Sequence, residues 1–154
     1  MTHPITRLLA VAFIAATVVA CGKSISVKED AMNYQAAEMK IQTELATKQQ
    51  ALMQKAQALQ QNPEKIDELL PEVNQFVAEA KAKLLEIKPQ TDAVKKFQAQ
   101  EIKSIEEMVP LMNSLVEAVK NKDLTKIQAA QQVYFKAMQD LQAAKAELMK
   151  QAEK

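Results

Sequence analysis

Carboxylates are the main chemical resource of this chain. Asp67, Glu68 and Glu72 form one group and Glu106 and Glu107 another, and a pair held in unlike environments would supply a general acid and a general base. Their spacing places them on solvated helical faces, and neither histidine nor arginine accompanies them to relay a proton or clamp an anion. A carboxylate-bridged di-metal site needs a Glu-x-x-His motif, which the same shortage removes. Thioethers are the second resource. Met108 and Met112 stand one helical turn apart, and Met32 and Met39 two turns, a spacing that would suit Cu(I). Unbranched and adaptable, such side chains serve more commonly as core filler. Cys21 is the single thiol, so it forms no internal disulfide and no thiolate cluster for zinc. These residues lead us to expect a protein that is not an enzyme and carries no metal or cofactor.

The elements that hold these residues are helices. The 154 residues include one glycine and five prolines, which removes most hairpin turns and phosphate-binding loops, while Ala, Leu, Gln, Lys and Glu favour helix. With 20 basic against 19 acidic side chains and 4% aromatic residues, nothing points to nucleic acid. Three interruptions divide the chain into four helical stretches. The first opens at Ser26, with Glu29 three residues on in capping-box spacing, and runs to about Gln61. Its apolar stripe of Tyr34, Ile41, Leu45, Leu52, Ala56 and Leu59 is interrupted by Lys48 and Lys55, so it is expected to be the least buried helix.

Asn62-Pro63 starts a second helix, to about Lys88, whose seam is Ile66, Leu70, Val73, Val77, Ala80, Leu84 and Ile87. Pro71 should bend it unless the helix proper begins later. Pro89-Gln90 ends that stretch, and Thr91 or Asp92 is placed to cap a third helix reaching about Asn121, with a seam of Ile102, Ile105, Val109, Met112, Val116 and Val119 and a kink at Pro110. Asp123 caps the fourth, in which Ile127, Ala130, Tyr134, Ala137, Leu141, Ala144 and Leu148 alternate large and small. Short connections make neighbours antiparallel, giving an all-α, up-down-up-down four-helix bundle over residues 26–154. The alternative is a three-helix bundle with the first helix as an extended arm.

Ahead of the bundle, residues 1–20 carry one basic residue, Arg7, then an apolar run from Leu8 to Ala20, shorter than the roughly 20 apolar residues of a spanning helix. The run ends Val18-Val19-Ala20-Cys21, which resembles the lipobox of bacterial lipoproteins at every position. The resemblance implies a signal peptide over 1–20, cleavage before Cys21, diacylglycerol on its sulfur and an acyl chain of the palmitate kind on the new amino terminus. It implies a membrane anchor, with residues 21–25 as a lipidated linker. Where Asp would favour retention at the inner membrane of a Gram-negative cell, this chain has Gly22, which implies the outer membrane, facing the periplasm. Processing would remove Arg7 and His3 and leave 19 lysines, the 20 basic residues less Arg7, against 19 acids.

A linker from Gly22 to Ile25 reaches about 14 Å at full extension, so the bundle should stand close to its membrane. The tip holding Asn62, Glu64, Lys122 and Asp123 would then point away from the bilayer as the candidate partner-binding end. The expected function is non-enzymatic protein-protein interaction in the cell envelope, with no nucleic-acid partner. The alternative is a helical module that binds a lipid-like or other small apolar ligand between its helices, for which Tyr34, Tyr134, Phe76, Phe97 and Phe135 are candidate lining residues. The Gln-rich stretch from Gln49 to Gln61 is a candidate face for another coiled-coil helix.

Overall fold

A computed structural model describes residues 25–58 and 63–153. Cys21, Asn62 and Leu59 lie outside them. The described residues form four α-helices and no strand: α1 (Val27–Ala58), α2 (Leu70–Glu86), α3 (Asp92–Lys120) and α4 (Leu124–Ala152), with a 3-10 segment, Pro63–Leu69, leading into α2. Each helix packs against its neighbours in sequence, and α4 closes back onto α1, so the architecture is the all-α bundle. The extended-arm alternative is ruled out, because α1 touches α2, α3 and α4.

Local chemistry sets the helix ends. Ser26 Oγ accepts the Glu29 amide at 3.2 Å, the forward half of the capping box. Pro71 does not bend a helix. The stretch before it winds as 3-10, and the α-helix begins at Leu70, which puts Pro71 in the first turn where its missing N–H has no partner to lose. Pro110 lies within α3, which continues on both sides of it.

At the other end of α3, Asp123 N–H donates to Ala118 C=O at 2.8 Å and Lys122 N–H to Val119 C=O at 3.1 Å. That pair of bonds is a Schellman ending. Its left-handed position, at φ 53°, holds Lys122 where a glycine is usual. Asp123 then caps α4, its carboxylate accepting the Lys126 amide at 3.0 Å.

Burial runs against one expectation. α1 buries eight residues, as many as α3, whereas α4 buries only Ala130, Tyr134 and Leu148 and α2 only Val73 and Leu84. The lysines that interrupt the α1 stripe explain why it was underrated: Lys48 and Lys55 reach sideways to Glu79 and Glu72 on α2, both at 2.5 Å, beside a Glu44–Lys83 pair at 2.6 Å. They flank the buried face without interrupting it.

The α3 seam is also displaced. Val94, Phe97, Glu101, Leu111, Leu115 and Ala118 are buried along with Met112 and Val116, while Ile102, Ile105, Val109 and Val119 are only half-buried. Two polar residues, Glu101 and Ser104, stand in the true stripe and hide its period. Ser104 is satisfied by donating to Gln100 C=O at 2.9 Å.

The core comes in three blocks along the bundle axis. Tyr34, Phe97, Val94 and Leu148 form the block nearest the α2–α3 connection. Ile41, Leu45 and Leu84 form the middle. Leu52, Val73, Met112, Leu115 and Tyr134 belong to the largest block, toward the other end. There Lys120 pairs with Asp67, which clasps the 3-10 segment to the end of α3.

Candidate functional site

The buried polar residues of the bundle gather at one end. Asp30, Tyr34 and Glu38 follow each other at intervals of four along α1, so they form one line on its inner face. Below them the same face turns apolar with Ile41, Leu45, Leu52 and Ala56.

Asp30, 4% exposed, reaches the α2–α3 connection. Its carboxylate accepts Gln90 N–H at 3.0 Å, Thr91 N–H at 2.7 Å and the Thr91 hydroxyl at 2.7 Å. Thr91 is the N-cap residue of α3, as its position suggested, yet its hydroxyl makes no capping bond. The α1 carboxylate instead holds the amides of Gln90 and Thr91 just ahead of the helix, and it places a negative charge near the positive end of the α3 dipole. Gln98 completes this end by donating to the last carbonyls of α2, Leu84 at 2.6 Å and Ile87 at 3.0 Å.

One turn further in, the Tyr34 hydroxyl donates to Glu101 Oε2 at 2.6 Å, and the Tyr34 ring meets Phe97 edge to face at 5.9 Å. Glu38 and Glu101 are each 7% exposed and hydrogen-bond one another. Burial, then the hydrogen bond to Glu101 and the charge of that neighbour, push the Glu38 carboxyl up to about 9, with Lys145 of α4 pulling the other way. Glu38 therefore keeps its proton at neutral pH, and Glu101 receives the tyrosine hydroxyl. Burial and the same acids push Tyr34 far up as well, so it too stays protonated.

The residues singled out in the sequence fall elsewhere. Glu106 and Glu107 are exposed and pair with Lys81 and Lys103, Glu72 with Lys55 and Asp67 with Lys120, so four of these five acids serve as surface ion-pair partners, and Glu68 is exposed. Met112 is buried and Met108 packs beside it in the largest core block. Among the described residues no group of three or more His, Cys, Asp or Glu is placed to hold a metal ion.

At the candidate tip, Glu64 falls in the 3-10 segment, Lys122 is exposed at its left-handed position and Asp123 is engaged as a cap. The Asp67–Lys120 pair brings the 3-10 segment beside the end of α3, and Asn62 lies outside the described residues. Tyr34, Phe97 and Tyr134 are core residues, Phe76 is half-buried, and Phe135 is 54% exposed. Phe76 lines an open groove of about 250 Å³ between α1 and α2, bordered by Lys48, Glu72 and Glu79.

Sequence reasoning missed the buried Glu38–Glu101 pair, because an acid in a helical stripe reads as a surface residue. The only signal was the four-residue spacing of Asp30, Tyr34 and Glu38.

A second feature is an uncharged stripe on the outside of α4. Leu124, Phe135 and Met149, 72%, 54% and 46% exposed, lie about three and then about four turns apart, which puts them on one line with Gln128, Gln131, Gln142 and Ala146 between them.

No family model, curated protein or solved structure matches this chain.

Proposed function

We propose that the protein is a lipid-anchored, non-enzymatic lipoprotein of the bacterial cell envelope, sorted to the outer membrane and facing the periplasm, which works by binding another envelope protein. The observation that carries this reading is the sequence Val18-Val19-Ala20-Cys21 at the end of a short apolar run. Two features support it. Among the described residues no helix is long and apolar enough to cross a membrane, so attachment would rest on the acyl chains, and more than one chain is what stable anchoring takes. The outer face of α4 carries large apolar side chains on an uncharged line, a surface suited to contact with another protein. Anchoring confines the bundle to a thin layer and raises its effective concentration toward a partner there.

Replacing Cys21 with Ser tests the anchor. The wild-type chain is expected in the detergent phase and the Cys21→Ser variant as an unprocessed or soluble form; detergent-phase partitioning of the variant at the wild-type level would overturn the proposal. In-cell crosslinking with a C-terminal tag, followed by mass spectrometry, tests the partner. A dominant protein crosslinked through α4 or the tip at Lys122 supports an adaptor. Recovery of a retained lipid or small molecule with no protein would favour the ligand-binding alternative.

A further inference from the structure

We propose that Tyr34, Glu38 and Glu101 form a proton-dependent latch that docks the first half of α1 onto α3 and α4, and that loss of the shared proton releases that half while the rest of the bundle stays packed. The inner face of α1 divides in two. From Ile41 onward it is held by apolar packing, which is indifferent to pH. Before Ile41 it combines an apolar block, Ala31 and the Tyr34 ring against Val94, Phe97 and Leu148, with the buried carboxyls of Asp30 and Glu38 and the Tyr34 hydroxyl.

The groups facing Glu38 are Tyr34 from its own helix, Glu101 from α3 and Lys145 from α4. α2 meets the next turns of α1 through Leu84 and Ile87, which carry no charge. While Glu38 keeps its proton the two buried acids are not like charges side by side, Glu101 accepts from the Tyr34 hydroxyl, and Lys145 of α4 stands near Glu38. Without that proton, two like charges lie side by side at 7% exposure. The simplest relief is for the first half of α1 to move away and hydrate Glu38.

The direction of the effect follows from proton counting. Docked Glu38 holds its proton up to about 9, whereas a hydrated glutamate releases it near 4.5. Undocking therefore releases a proton anywhere between those values. The latch is fully closed below the lower value, and its contribution is lost as pH rises through the upper one. One proton corresponds to a tenfold rise in the undocking constant per pH unit within that window.

Amide hydrogen exchange on the full-length protein, corrected for the intrinsic pH dependence of exchange and read between pH 6 and pH 8.5, tests this. Peptides covering residues 27–40 should show an opening constant that climbs toward tenfold per pH unit, while peptides around Leu52 and around Leu115 stay flat. In Glu38→Gln, which keeps a donor and removes the proton, the slope in residues 27–40 should vanish. Glu38→Met, of similar volume and without an ionisable group, serves the same purpose if the amide variant fails to fold. A flat wild-type profile, an equal slope in all four helices, or an unchanged slope in the variant would overturn the latch.

Discussion

Setting Glu38 beside Glu101 in a layer closed to water imposes a condition that apolar neighbours do not, because the pair is satisfied only while one proton is shared. Tyr34 supplies the remaining donor, and its contribution is separable from its packing. Phenylalanine at position 34 retains the edge-to-face contact with Phe97 and deletes only the hydroxyl. Removing one partner of a buried, charge-assisted hydrogen bond costs about 1–3 kcal/mol, so Tyr34→Phe should lower the unfolding free energy at pH 6 by that amount, read as a lower urea midpoint with no change in the slope of the transition. A midpoint equal to wild type would mean that Glu101 finds another donor. The exposed pairs Lys81–Glu106 and Lys103–Glu107 fall in the opposite class: they are screened by water, and their loss should matter little.

At the scale of the element, the end of α3 holds a correctable strain. The Schellman turn demands a left-handed residue, and Lys122 meets it at φ 53° with a Cβ that glycine would not have. Lys122→Gly should therefore raise stability by about 0.5–1 kcal/mol in thermal or urea melts, even though glycine loses more freedom on folding. Reduced stability in that variant would mean that the Lys122 side chain makes a contribution of its own.

Helices and their order were legible in the sequence because three proline- or asparagine-bearing interruptions and the long 3-and-4 periodicity survive any local exception. The second seam was legible at Ile66, Val73 and Leu84, since no polar residue enters it, but Leu69 is buried in place of Leu70, and Val77, Ala80 and Ile87 are only half-buried. The seam of α3 was not, because Glu101 and Ser104 occupy it and an apolar run one residue later imitates its period. The burial of α1 was hidden for the same reason, since Asp30 and Glu38 stand among its first four inward positions, beside Ala31 and Tyr34. The lysines beside them gave no sign that they reach across to α2. Only long-range partners, α1 to the connection at Gln90 and α3 to Tyr34, make those positions interior, and such partners leave no periodic trace in the chain.

At the scale of the molecule, packing and polarity divide the bundle along its length. The end beside Lys122 contains the largest apolar block, and the end beside Asp30 is joined by hydrogen bonds between α1, α3 and the α2–α3 connection. A latch at the second end leaves the first as a fixed platform. In the lipoprotein reading the adjustable end would be the one next to the membrane, and the tip at Lys122 the one that stays constant.

An even number of antiparallel helices also returns the chain to where it began. Leu148, near the close of α4, packs in the same block as Ala31 and Tyr34 near the opening of α1. The order in which the helices are threaded is thus separable from the way they pack, and a covalent join between those two neighbouring ends would close the molecule into a ring. Such a ring cut within the turn at Lys122 would read α4, α1, α2, α3 with every buried contact retained. This circular permutant should fold to the same helical content, measured by far-ultraviolet circular dichroism. It would also begin and finish at the end of the bundle opposite Asp30, so a fusion placed there would extend away from the buried carboxyls.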